Sequence, residues 1–365
     1  MSLITQKTSR AGEAARHGAL STRRTGKESE QETVGRRQVV VTLTPSPVVD
    51  RVYFFEDLVP GTVNRALTVE QYLGGNGINV ARTLRLAGNL TRAVAPVSAK
   101  DPSGLELMRR EGELIRTVLV SPPTRINTVL VSSDGSTTNA NQKPGLLPEA
   151  EWRSVCEATL DELRTLDADW LVVAGALPMT TDGNPVDLRW LLAQVQQLGV
   201  KVCLDVNGAD LGRWATSGLV DLVKPNLPEL ESVAGRQLST LGDVVAAARE
   251  LVNAGVGTVL ASMGADGLIG VCPNGVRWAR VPTAPVINTT GAGDAALAGF
   301  LSEGSTITDG NGGSPWTIAF SAALARSAAW GALAVACSTT LLQSLNGTPD
   351  VTVQEPDATF RLNHY

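Results

Sequence analysis

Between Gln38 and about Gln343 the hydrophobic positions fall into short runs separated by Pro, Gly and polar breaks. Val39-Val40-Val41-Thr42-Leu43 stops at Thr44-Pro45-Ser46-Pro47, which predicts a buried strand entering a rigid loop. Val52–Phe55 and Ala66–Val69 predict short strands on either side of Pro60-Gly61. Ile78 onward predicts a helix with Val80, Leu84 and Leu86 inside. Thr124–Val131 alternates, turns apolar and runs to Asp134-Gly135, a hairpin signal. These segments predict a small second sheet, its strands drawn from about 50–72 and 117–132. From Glu149 the rhythm changes. A helix over 149–166 leads to the strand Trp170–Ala174, and a helix over 186–198 leads to Val200–Asp205. Asp221–Lys224 follows, then a helix from about Asp243 to Ala254 and the strand beginning at Thr258. An alanine-rich helix is predicted over 318–336. Helices alternating with apolar strands predict an α/β protein: a mostly parallel central sheet with helices on both faces, plus the small β-sheet.

The first 37 residues do not share this pattern. They are polar, rich in Arg, Ser, Thr and Glu, and lack the apolar stretch of a secretory signal. Glu13, Glu28, Glu30 and Glu32 argue against a transit peptide, so 1–37 reads as a disordered extension. That leaves one domain over 38–346 and a polar tail over 347–365. Net charge is −5 and no basic stripe with interleaved aromatics occurs, which excludes a nucleic-acid partner. The four cysteines (Cys156, Cys203, Cys272, Cys337) form no C-x-x-C pair, and His17 and His364 are the only histidines. A Cys/His metal site is excluded, and isolated thiols in apolar runs suit a reducing, cytoplasmic setting. No uninterrupted apolar run reaches the roughly 18 residues of a membrane span.

The chemistry gathers at Asn288–Phe300, where Gly291-Ala292-Gly293-Asp294 opens a small-residue apolar run behind Thr289-Thr290 and, further upstream, Pro282 and Pro285. A helix beginning near Ala292 would offer unpaired N–H groups and a positive dipole end to an anion. Asp294 then reads as a base beside an anion site, the arrangement phosphoryl transfer requires, or as an acidic residue in a helix's first turn. Asp50, where a strand ends, can hydrogen-bond a polyol or cap its loop. Leu73-Gly74-Gly75-Asn76-Gly77-Ile78-Asn79 lets a substrate approach the backbone, or simply turns. Arg125 is free to meet an anion, or is an exposed strand arginine. Asn226 and Glu229, three apart, can hold the hydration shell of Mg²⁺ or cap a helix. Ser262–Gly267 is a hairpin turn, or covers a nucleotide. Asp50, Gly175, Asp205, Lys224, Ser262 and Asp294 all follow strands, and ligands of parallel sheets sit at strand carboxyl ends.

In this order, strand–Asp, Gly-Gly-x-Gly-x-Asn, Lys-Pro-Asn-x-x-Glu, Ser-x-Gly-x-x-Gly and Gly-Ala-Gly-Asp resemble the ribokinase-like (PfkB) carbohydrate kinases from about Gln38 to Gln343. Thr42–Asp50, Gly77–Arg82, Thr124–Asn127 and Leu222–Asn226 are similar to the branch acting on phosphorylated ketohexoses. The resemblance implies an ATP- and Mg²⁺-dependent kinase. It would convert fructose 1-phosphate to fructose 1,6-bisphosphate, or tagatose 6-phosphate to the 1,6-bisphosphate. It implies Asp294 as base and Gly291, Ala292 and Gly293 as anion hole. Asn226 and Glu229 would organise Mg²⁺ (Glu229 through water) and the ATP phosphates; Lys224, Ser262, Gly264 and Gly267 would contact the nucleotide. Asp50, Gly75, Asn76 and Asn79 would face the sugar. Arg65 and Arg125, expected on strands of a small lid, would take its phosphate. The family commonly pairs lid to lid, implying a homodimer. One departure stands out: many members of this branch have lysine where this chain has Asn76, and Lys143 in a lengthened segment is a candidate to compensate. The departure keeps open a kinase for an unphosphorylated sugar or nucleoside, and a silent sugar-phosphate sensor is the non-enzymatic rival.

Overall fold

The computed structural model describes residues 37–134, 136–282, 286–303, 314–337 and 341–363. Residues 1–36 of the expected extension, with His17, lie outside these, as do Gly135, Pro285 and His364.

The chain runs β1 (Val40–Leu43), β2 (Val48–Phe55), β3 (Thr68–Gly74), α1 (Asn76–Leu86), β4 (Thr91–Ser98), α2 (Pro102–Arg110), β5 (Ile115–Val120), β6 (Arg125–Ser132) and β7 (Thr137–Asn141). It continues through α3 (Glu149–Leu166), β8 (Trp170–Ala174), α4 (Arg189–Gln197), β9 (Lys201–Asp205), α5 (Gly208–Ala215), β10 (Leu222–Val223), α6 (Leu227–Ala234) and α7 (Leu241–Asn253). β11 (Thr258–Ser262), β12 (Leu268–Cys272), β13 (Gly275–Arg280), α8 (Ala292–Leu301), α9 (Ser314–Val335) and β14 (Thr352–Gln354) complete it. Ten strands form one sheet in the order β14-β13-β12-β11-β10-β9-β8-β1-β4-β5. From β5 to β11 every pairing is parallel; β12, β13 and β14 add an antiparallel edge.

Successive strand residues point to opposite faces, so a strand covered twice must be apolar at both parities. Val40, Val172, Cys203, Leu222 and Leu260 pack with α1, α8 and α9; Val41, Val173, Leu204, Val223 and Ala261 pack with α3, α4, α6 and α7. That requirement makes the strands continuous apolar runs in the sequence.

The small sheet is β3-β2-β6-β7. It departs from expectation in detail. β3 begins two residues later than Ala66 and runs on to Gly74, because it is an edge strand with its first five residues exposed and so carries no apolar run. Residues 117–120 belong to β5 in the large sheet, so the second half of the lid starts at Arg125. β2 continues β1 across Thr44–Pro47, and β6 continues β5 across Ser121–Thr124. Those short crossings are stiffened by Pro45, Pro47, Pro122 and Pro123, which ring a small cavity of about 40 Å³.

Two further differences concern helices. α1 starts at Asn76, and Leu86, expected inside, is 44% exposed because it closes the final turn. By length and composition Ile318–Val335 in α9 could cross a membrane. Ser321, Arg326 and Ser327 interrupt the run without lowering its mean hydropathy enough to exclude it. In the fold α9 lies against α8 and buries Phe320, Leu324 and Trp330 in the core. Beyond Gly347, β14 pairs with β13 and Leu362 is buried.

Small residues let α8 and α9 approach closely. A Cβ on Gly299 would lie 2.7 Å from the Arg326 carbonyl oxygen and 3.0 Å from Ser327 Cα. Ser327 Oγ donates to the Ala296 carbonyl at 2.7 Å, and Arg326 Nε donates to Ser302 Oγ at 2.8 Å. Gly299→Val should therefore push the helices apart and cost about 1–3 kcal/mol. In differential scanning fluorimetry its midpoint should fall by several degrees, whereas Gly331→Ala, whose Cβ would meet Ala296 Cβ at 3.3 Å and the Ala292 carbonyl oxygen at 3.5 Å, should change it far less. An unchanged midpoint for Gly299→Val would contradict the packing.

Candidate active site

At its head α8 is built around glycine. Gly291 is the N-cap with φ 82°, a left-handed conformation that side chains resist, so the turn into α8 requires glycine there. Ala292, Gly293 and Asp294 form the first turn. Asp294 is 5% exposed, and its Oδ2 accepts a hydrogen bond from Asn79 Nδ2 at 2.9 Å. Burial pushes its pKa up to about 7; the neighbouring Asp205 adds to this, while the Asn79 hydrogen bond and Lys224 oppose it.

Lys224, on the strand end after β10, is buried with its Nζ 3.2 Å from Asp205 Oδ1. A Cβ on Gly293 would sit 3.0 Å from the same Nζ, so glycine as the second residue of α8 lets the ammonium lie closely against that turn. Burial alone would lower the lysine's pKa; Asp205 and then Asp294 outweigh it and raise it. Asp205 Oδ2 is buried without a hydrogen-bond partner among the described residues.

Asn226 and Glu229 form a reciprocal cap on α6. Glu229 N–H donates to Asn226 Oδ1, and Asn226 N–H donates to Glu229 Oε2, both at 2.9 Å. The capping reading is thus realised in the geometry, and both residues also line the cleft. Burial raises the Glu229 carboxyl against the lowering effect of the Asn226 N–H. Ser262 ends β11, and Gly264 and Gly267 lie in the turn to the antiparallel β12, so the hairpin forms with its turn on the cleft wall.

Opposite stands the lid. Asp50 of β2 accepts from Asn127 Nδ2 at 3.0 Å, and the two are register partners of β2 and β6. Burial raises the Asp50 carboxyl, countered by Asn127, Arg125 and Arg82. Arg125, the first residue of β6, faces the cleft; burial lowers its pKa, Asp50 opposes this, and its Nε has no partner among the described residues. Gly75, with φ 143°, leaves no room for a Cβ, which would lie 2.6 Å from Thr44 Cγ2. The glycine loop is sewn to the end of β1: Thr42 Oγ1 donates to the Gly77 carbonyl at 2.8 Å, and Ile78 N–H donates to Thr44 Oγ1 at 3.0 Å. Asn76 opens α1 and is exposed to the cleft near Gly175.

One cleft of about 1240 Å³ therefore joins Asp50, Gly75, Asn76, Asn79 and Arg125 to Lys224, Asn226, Glu229, Ser262, Gly264, Gly267 and Gly291–Asp294. Arg65 is not among its lining residues. It sits on the exposed loop between β2 and β3, not on a lid strand, because β3 begins only at Thr68. Lys143, beyond β7, is exposed and does not line the cleft either. Three contributors escaped the motif reading. Asp205 had been visible only as a strand-end aspartate. Arg82, one turn after Asn79, donates to Asn79 Oδ1 at 3.2 Å and to the Leu73 carbonyl at 2.8 Å and pairs with Glu111, so it fixes which way the Asn79 amide faces. Asn363 arrives from a segment with no sequence signal.

What the geometry can do is hold a polyanion at the head of α8, beside a lysine and a buried carboxyl that titrates near neutrality. Among the described residues no three His, Cys, Asp or Glu side chains cluster as a metal cage. Asp205, Glu229 and Asp294 nevertheless carry more negative charge than Lys224 balances, which fits a hydrated divalent cation held mainly by a ligand's phosphates.

Comparison with known proteins gives the same reading. Residues 39–344 match the model of the pfkB family carbohydrate kinases. The 1-phosphofructokinase of Bacillus subtilis is 32% identical over 267 residues, covering 72% of this chain and 84% of the relative. The potassium complex of Escherichia coli phosphofructokinase-2 superposes with a TM-score of 0.72 at 26% identity, covering 85% of this chain and 97% of that one. A tetrameric inhibited form of the same E. coli enzyme gives 0.70 at 26% identity, with 83% and 96% covered. A mostly parallel sheet with a four-stranded lid, an anion turn heading α8 and a family match across the whole domain agree: the chain belongs to the PfkB family of carbohydrate kinases.

Proposed function

We propose that this kinase phosphorylates a ketohexose phosphate, with fructose 1-phosphate giving fructose 1,6-bisphosphate as the first choice and tagatose 6-phosphate as the second. The observation that carries the reading is the placement of Asp294. It is a buried carboxyl in the first turn of α8, on a cleft whose other end presents Arg125. The similarity to the Bacillus subtilis 1-phosphofructokinase favours the same substrate class.

Kinases of this family use ATP, which supplies the transferred phosphoryl group, and Mg²⁺ would neutralise its charge. Asp294 accepts the proton of the sugar's primary hydroxyl as that oxygen attacks. Asn79, oriented by Arg82, holds Oδ2 and keeps the carboxylate turned to the cleft. First-turn N–H groups of Gly291–Gly293 and the Lys224 ammonium face the charge that builds on the transferred group. Asp50 and Gly75 take sugar hydroxyls, Asn226 and Glu229 would order the hydrated cation, and Gly264 and Gly267 border the nucleotide. With the lid over the sugar, water is kept from competing as acceptor.

A base must be ionised, so the acid limb of kcat/KM should lie near pH 7, where the Asp294 carboxyl titrates. Asp294→Asn should lower kcat by about 10²–10⁴-fold. Stability gives an independent sign. The folded pKa lies above the unfolded value, so the native state binds the extra proton and loses relative stability as pH rises from about 4 to 7. Asp294→Asn stays neutral and should gain on wild type across that window in thermal melts. Near-native kcat in the variant would remove Asp294 from the role.

Arginine grips phosphate through paired charge-assisted hydrogen bonds worth about 1.5–3 kcal/mol. Arg125→Ala should raise the KM for the sugar phosphate about tenfold or more and leave that for ATP nearly unchanged. Asn76→Lys, which adds a cation on the same wall, should leave affinity equal or better. Higher kcat/KM on free fructose or ribose, with Arg125→Ala silent, would replace the phosphosugar reading by the unphosphorylated-sugar one that Asn76 favours.

The lid also bears on assembly. Val63, Leu67 and Val69 are exposed on it, while Tyr53, Phe54, Val129 and Leu130 are half-covered by one chain. Apolar surface of this kind marks an interface, and a homodimer joined lid to lid would cover it and bring Arg65 of each loop toward the neighbouring chain. Light scattering should give twice the chain mass, and Leu67→Asp should shift it toward monomer. A fully active monomer at all concentrations would contradict the pairing.

A further inference from the structure

Asp266 is a carboxylate that the mechanism does not use, yet it is 1% exposed in the very turn that lines the nucleotide end of the cleft. A buried carboxylate is tolerated only when its oxygens are satisfied. Both are satisfied by one residue 97 positions away. Asn363 N–H donates to Oδ2 at 2.6 Å and Asn363 Nδ2 donates to Oδ1 at 2.7 Å. The Asp266 carbonyl in turn accepts from Trp278 Nε1 at 2.8 Å.

The segment that delivers Asn363 is fastened along its length. β14 pairs with β13, and Phe360 packs on Trp278 with ring centroids 5.0 Å apart, Arg280 lying over both rings. The N–H groups of Gly242 and Leu241 at the head of α7 donate to the carbonyls of Ala358 and Phe360. Leu362 is buried and donates its N–H to Ser239. Among the described residues of this segment Asn363, the next one, alone comes out into the cleft, where it is exposed and joins Gly264, Ala265 and Gly267 in the wall. One N–H of its Nδ2 goes to Asp266, which leaves the second N–H and the amide oxygen to offer a ligand. A donor–acceptor pair of this kind matches the edge of the base or the hydroxyls of the ribose, the polar groups of the base–ribose part of the nucleotide.

We infer that Asn363, clamped by Asp266, is a nucleotide-binding residue contributed by the segment after β14, and that the clamp fixes the Gly264–Gly267 turn against the nucleotide. The inference rests on the kinase reading for which ligand occupies this end of the cleft. Its test is steady-state kinetics of Asn363→Ala, Asp266→Asn and the double variant, varying ATP at saturating sugar phosphate and the reverse. Each single variant should raise the KM for ATP about fivefold, the equivalent of one lost hydrogen bond, with the KM for the sugar phosphate within twofold. The double variant should be no worse than the worse single one, because both break the same contact. An ATP KM within twofold of wild type in Asn363→Ala overturns the inference. So do equal rises in both KM values, the signature of a purely structural staple. Should Asp266→Asn fail to fold, Asn363→Ala keeps its backbone N–H on Asp266 and carries the test. Calorimetric titration with ADP reads the same loss without turnover. Wild type that binds ADP fivefold better than Asn363→Ala, yet phosphorylates no sugar phosphate, overturns the proposed substrate and supports this inference.

Discussion

One buried ammonium organises the site. Lys224 touches Asp205, lies against the Gly293 turn and is close enough to Asp294 for each to shift the other's titration. Removing a charge from water is costly unless a partner repays it, and removing that partner later is costlier still. Asp205 repays most of it for Lys224. Asp294 receives what remains, too little to keep its carboxyl in the ordinary acidic range. The geometry around the lysine follows from this sharing: a glycine where a Cβ would strike Nζ, a helix whose positive end faces the same space, and an asparagine holding the carboxyl's far oxygen. The three charges come from β9, the end of β10 and α8, all at the carboxyl edge of the parallel sheet.

Much of this was readable in the residues. Strands covered on both faces must be apolar at both parities, so β8, β9 and β11 stand out, and α3 begins and ends at the expected residues. Gly291–Asp294, Gly75, Lys224 and the hairpin at Gly264 share one cleft because each motif sits at a strand or helix end, where local sequence fixes backbone direction. What was hidden lacks such a signature. β3 is exposed at an edge, so no hydrophobic period marks it. The run before β6 looks like lid but pairs with β4, a long-range choice that no local pattern encodes. Arg65 was taken for a lid-strand residue, whereas β3 begins only at Thr68. Arg82 acts through Asn79 one turn away and the Leu73 carbonyl, and Asn363 through two hydrogen bonds to Asp266, 97 positions off; a lone arginine or asparagine carries no motif to read. In α9 the helix itself was expected over 318–336, but two serines and an arginine concealed an average apolarity that reaches that of a membrane span, although its partner is α8.

The way the lid is attached constrains how it can move. β2 and β6 lie side by side, parallel and hydrogen-bonded over eight register pairs, and each is fed by a main-sheet strand through a crossing only four residues long. Two proline-braced struts of equal length and direction behave mechanically as a parallelogram. They permit the plate they carry to rock about one axis and resist its twisting or shearing. Asp50 and Asn127 are one pair of that ladder, and Arg125 is two residues along it. These groups therefore travel as one body, and whatever moves any one of them moves the other two in the same stroke.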